Sequence, residues 1–118
     1  MLDFLFVGIG GALGAMLRYA ISLIPYKQEF PILTLLTNIL GALLIGYITG
    51  LALKRDIPQN LSLFLKTGLC GGFTTFSTFS LEAYNLLQNG NYVCAAFYIL
   101  LSLLGCITGV WCGIMIAR

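Results

Sequence analysis

The sequence predicts an all-α membrane protein, a single domain over residues 1–118 with four transmembrane helices, the third of them broken. Composition is the first reason. The chain is 59% hydrophobic and only 8% charged, its mean hydropathy is +0.98, and a soluble domain carries about 25% charged residues. Length is the second. At roughly 20 residues per span, 118 residues hold four helices and short loops, with no separate soluble domain. Pattern is the third. The apolar stretches are continuous rather than alternating, which argues against a transmembrane barrel.

The first span runs from about Asp3 to Ile24 and ends at Pro25. Asp3 is the only charged side chain ahead of Arg18, so this reads as a retained span rather than a cleaved signal peptide. Gly10, Gly14 and Arg18 share one face at i, i+4, i+8 spacing, and small residues so placed let another helix approach. An arginine there must snorkel, pair or face a water-filled vestibule. The second span runs from about Ile32 to Leu53. Thr34, Asn38, Ala42, Gly46 and Gly50 form one small or polar stripe on it. Two readings of Asn38 stand open: interhelical glue, or a donor lining an anion path.

Lys54 to Asn60 is a charged loop. The third span begins near Leu61, carries Lys66 early, and is interrupted over Gly71 to Thr78 before resuming to about Gln88. Paired glycines and β-branched threonines are poor material for an unbroken helix. At membrane depth a break is tolerated only where the freed backbone is buried in protein or faces a polar cavity. Beyond it, Thr75, Thr78 and Glu82 share one face, and Phe76 and Phe79 a neighbouring one. Asn89-Gly90-Asn91 is a tight turn. The last span covers about Tyr92 to Ala117, with Gly105, Gly109 and Gly113 as overlapping GxxxG motifs and Tyr98 and Ser102 as an i, i+4 polar pair. Counting Lys and Arg by loop favours cytoplasmic termini.

The chemistry these residues exclude is broad. Histidine is absent, the carboxylates are isolated, and the four cysteines lie in apolar helix without metal-ligand spacing, so they read as packing residues. No phosphate loop is present, and a net charge of +2 gives no reason to expect nucleic acid. An enzyme is not expected. A pore or carrier for a small ion fits the break in two ways. Freed carbonyls suit a hard cation. The hydroxyls of Thr75, Ser77 and Thr78, with phenyl edges that carry the positive part of the ring quadrupole, suit a small anion.

At these residues the sequence resembles the Fluc (CrcB-type) fluoride channel family over nearly its whole length. The resemblance rests on Gly10-Gly11-x-x-Gly14-Ala15-x-x-Arg18-Tyr19, on Thr37-Asn38-x-x-Gly41, and on Gly71-Gly72-x-Thr74-Thr75-Phe76-Ser77-Thr78-Phe79-Ser80-x-Glu82. It implies a multi-pass protein of the plasma (inner) membrane that passively exports cytoplasmic fluoride and so relieves its toxicity. It further implies an antiparallel, dual-topology homodimer with two fluoride pores and a structural Na⁺ at its centre. Carried over by motif position, Phe76, Phe79 and Asn38 line the pore. Ser77, Thr78, Glu82, Tyr98 and Ser102 form a polar track, and Arg18 lies near the vestibule. The main-chain carbonyls of Gly71 and Thr74 would hold the Na⁺.

Two rivals remain. A small multidrug-type, proton-coupled exporter is also four short helices, but it needs a carboxylate within its first span, where this chain has Arg18 and only the terminal Asp3. A non-transporting assembly subunit accounts for the glycine faces but not for the break.

Overall fold

A computed structural model describes all of residues 1–118, and its regular elements are helical throughout. Helix α1 (Leu2–Ser22) ends just ahead of Pro25, and α2 (Ile32–Lys54) begins directly after Pro31. Both boundaries follow from proline, which lacks an N–H and restrains the residue before it. The next helical run, α3, starts after Pro58 as Gln59–Ser62, widens into a π-helical stretch at Leu63–Cys70, and closes with Gly71–Phe73. Thr74 and Thr75 are extended, and α4 (Phe76–Gln88) follows. The Asn89–Asn91 turn contains the chain's one positive-φ residue, Gly90 at 79°, and leads into α5 (Tyr92–Ala117).

Helices α1, α2 and α5 are each long and apolar enough to cross a membrane. The third expected span is divided at Thr74–Thr75, and neither part alone reaches the roughly 20 residues that a span takes. The large apolar side chains on the outside, among them Phe4, Leu53, Ile107, Trp111 and Ile116, are what a helix surface in contact with lipid requires.

Two helix pairs make up the body, and each closes through glycine. On α1, a Cβ at Gly10 would overlap the Phe64 carbonyl oxygen and one at Gly14 that of Leu69. On α3, a Cβ at Gly68 would come within 2.8 Å of the Val7 carbonyl oxygen, and one at Gly72 would overlap that of Gly11. The second pair is α2 with α5. Gly46 lies against the Val110 backbone, Gly113 against Leu43 and Tyr47, and Gly50 would bring a Cβ within 2.7 Å of the Ala117 methyl. Apart from the Ala117 methyl, these contacts are backbone on backbone, the approach that small residues permit in a membrane. The α2 stripe and the α5 GxxxG motifs are therefore two sides of one contact within the chain.

Within the stretch expected to be interrupted, the departure from helix falls on the two threonines and not on the paired glycines. Gly71 and Gly72 stay helical. Gly72 serves the approach to α1, and the chain leaves the helix two residues later, at the β-branched Thr74 and Thr75. A small core of Leu35, Phe79, Ala83, Leu86, Ala95 and Tyr98 ties α4 to α2 and α5, so the chain beyond the break is anchored to the second pair.

Candidate functional site: the break and its cavities

Asn38 meets the break directly. Its side-chain oxygen accepts from the Thr75 N–H at 2.8 Å, and its Nδ2 donates to the Thr75 carbonyl at 3.0 Å. The amide thus satisfies both backbone groups that an extended residue leaves without a helical partner. Thr75 in turn caps α4: its hydroxyl accepts from the Thr78 N–H at 3.1 Å and lies 3.2 Å from the hydroxyls of Ser77 and Thr78. Arg18 closes the other side, donating through Nε to the Gly72 carbonyl at 3.1 Å. A cation at the C-terminal end of α3 also opposes the partial negative charge that collects there. Arg18 is therefore held by the break and does not simply snorkel.

Thr74 donates through both its N–H (3.0 Å) and its hydroxyl (2.9 Å) to the Cys70 carbonyl. The carbonyl oxygens of Gly71 and Thr74 accept no hydrogen bond, because the N–H groups that would reach them in a helix belong to Thr75 and Thr78 and are taken by Asn38 and the Thr75 hydroxyl. Uncharged oxygen ligands free of other partners are the donor type that a hard cation takes, so the two residues fit such an ion chemically.

Aromatic rings continue from the break. Phe76 and Phe79 lie 5.5 Å apart between centroids, and Phe79 and Tyr98 5.1 Å apart. Phe79 and Tyr98 are buried, whereas Phe76 is 75% exposed. The Tyr98 hydroxyl donates to the Glu82 carboxylate at 3.0 Å. Ser102, one turn along α5 from Tyr98, is only 6% exposed, and its hydroxyl has no hydrogen-bond partner.

The predicted residues are distributed over three cavities. A cavity of about 390 Å³ is lined by Asn38, Gly71, Thr74, Phe76, Phe79 and Ser102. On the far side of Thr75, a pocket of about 110 Å³ is walled by Arg18, Thr34, Thr37, Thr75 and Thr78, rich in hydroxyl donors and without a carboxylate. Glu82 faces a third recess with Glu29, Asn85 and Asn89. Tyr98 lies wholly buried among these, and Ser77 is exposed at the start of α4. Sequence reasoning passed over the cavity-lining side of Lys66, Cys70 and Cys106. The signal was available for two of them: Lys66 and Cys70 lie four apart, on the helix face that leads to Thr74.

Residues 5–114 match the family model described as CrcB-like protein, Camphor Resistance (CrcB). The chain belongs to the CrcB family. A relative from Ruminiclostridium cellulolyticum, named fluoride-specific ion channel FluC, is 50% identical over all of this chain and 94% of its own length. Relatives of the same name from Chlorobium chlorochromatii and Methylobacterium nodulans are 44% and 43% identical, over 97% and 100% of this chain and 91% and 98% of theirs. With its apolar helices, this membership makes the chain a multi-pass membrane protein.

Proposed function

We propose that this chain is the subunit of a fluoride-selective passive channel that lets cytoplasmic fluoride leave the cell through the plasma (inner) membrane. It is a channel protein and not an enzyme, as its family membership and the names of its relatives have it. The observation that carries the reading is the cavity beside the break, whose wall includes the Asn38 amide, the rings of Phe76 and Phe79 and the unpartnered Ser102 hydroxyl. Such groups replace the hydration of a small anion without a fixed salt bridge that would hold it too tightly to release.

The driving force needs no ATP. Hydrogen fluoride crosses a bilayer uncharged and ionises inside a near-neutral cell. The membrane potential then favours exit of the anion by about 2.3 kcal/mol per charge per 100 mV. Bacterial cells lacking their own fluoride exporter should regain growth on fluoride medium when this chain is expressed. No gain in growth, with the protein present in the membrane, would count against export.

The working unit on this reading is an antiparallel, dual-topology homodimer. Phe76 supports it, since the ring is 75% exposed yet lines the cavity, so a second copy seated there would close the ion path around it. The Na⁺ at the dimer centre would be held by the Gly71 and Thr74 carbonyls of both copies, because the two free oxygens of one chain are fewer than a hard cation takes. Such an ion would fix the break and join the subunits. Purified protein should retain Na⁺, and Thr74→Ser should retain it too because the ligand is backbone. Loss of Na⁺ on that change would point to side-chain ligation instead.

A further inference from the structure

We propose that Lys66 is an anion-steering residue of the channel, keeping the cavity beside the break at positive potential so that fluoride concentrates there before entering the narrow path. The inference rests on the channel reading above and adds a residue to it. Of all the side chains that line this cavity, contributed by α2, α3, the break, α4 and α5, Lys66 alone carries a charge, and no Asp or Glu faces it. A lysine inside a predicted span is costly unless it is paired, snorkelled or put to use. Here it lies within the π-helical stretch, in a cavity that also holds the buried, unpartnered Ser102 hydroxyl. A cation and a free hydroxyl donor together favour an anion. The i→i+5 register of the π-helix also brings position 66 below position 71, so the lysine approaches the break along the face that carries Gly71.

The physics fixes the signs. A cleft with low-dielectric walls focuses the field of a charge and raises the local concentration of the opposite ion, by ten-fold or more in favourable cases. Salt removes the effect, since the screening length falls from about 30 Å at about 10 mM to about 3 Å at about 1 M. A lysine that merely snorkels to the headgroups would leave the cavity and steer nothing.

Fluoride current through the reconstituted protein, at low fluoride and with an impermeant salt at about 10 mM or about 1 M, tests this directly. Lys66→Gln should lower the low-salt current by about two-fold to ten-fold, and the deficit should shrink at high salt. Lys66→Arg should restore the wild-type current, and Lys66→Glu should fall below Lys66→Gln. Should the neutral variant fail to fold, the wild type and Lys66→Arg still serve, because both must lose low-fluoride current as salt rises. Equal low-salt currents in wild type and Lys66→Gln, or a wild-type current indifferent to salt, would overturn the role of Lys66 while leaving the channel intact. A wild type that passes no fluoride at either salt would remove the channel reading itself.

Discussion

Asn38 holds the break in shape and faces the cavity at the same time, so the two roles that the sequence left open for it belong to one side chain. Its carboxamide pairs with both backbone groups of Thr75, and the second hydrogen on Nδ2 has no protein partner. Asn38→Leu should leave the Thr75 N–H and carbonyl unpaired, at about 1–3 kcal/mol for each buried group. It should therefore lower both the fluoride flux and the midpoint of thermal unfolding in detergent. Phe79→Ile, which leaves the break untouched, should lower flux while the assembled protein still elutes as before on size exclusion. Unchanged flux in both variants would remove them from the ion path. At this scale the sequence singled out Arg18, Asn38 and Thr75, which the structure gathers at the break, but not their partners. Nothing in the spacing of Arg18 and Gly72, or of Asn38 and Thr75, shows that they meet, because each contact joins separate helices.

At the scale of elements, proline and glycine mark several boundaries: α1 ends ahead of Pro25, α2 begins after Pro31, α3 begins after Pro58, and α5 follows the turn at Gly90. The interruption expected over Gly71 to Thr78 is narrower in the structure, where only Thr74 and Thr75 leave the helix. Glycine pairs break helices in water because the backbone gains freedom and solvent. In lipid there is no water to receive the freed groups, so Gly68 and Gly72 remain helical and are used for contact with Gly10, Gly11 and Gly14. Two i, i+4 glycine pairs on different spans were themselves a clue that those spans pack together. The π-helical widening at Leu63–Cys70 had no counterpart in the pattern of side chains. These contacts give an unequal prediction for two changes on one helix. Gly14→Ala pushes a methyl into the Leu69 carbonyl and should cost about 1–3 kcal/mol. Gly8→Ala meets nothing within 4 Å and should be neutral or stabilising by up to about 1 kcal/mol. Thermal unfolding of the two variants in the same detergent checks the ranking.

For the molecule as a whole, two glycine-closed helix pairs are joined by an extended stretch at Thr74–Thr75, where Asn38 pairs with both backbone groups of Thr75 and the Thr74 carbonyl stays free. Two cavities adjoin that stretch, one largely apolar with the Asn38 amide, hydroxyls and phenyl rings set in its wall and one rich in hydroxyls, with Lys66 and Arg18 as the cations that face them, while Glu82 and Glu29 line only the third recess. An anion path is the use to which such a distribution is suited. Selectivity between anions is the sharper claim, because a pore that also passed chloride would collapse the membrane potential on which export depends. Efflux from liposomes holding the purified protein, followed with fluoride and chloride electrodes in parallel, addresses it most directly. Rapid release of fluoride with chloride retained is the predicted result. Release of both ions, or of neither from a well-folded protein, would contradict it.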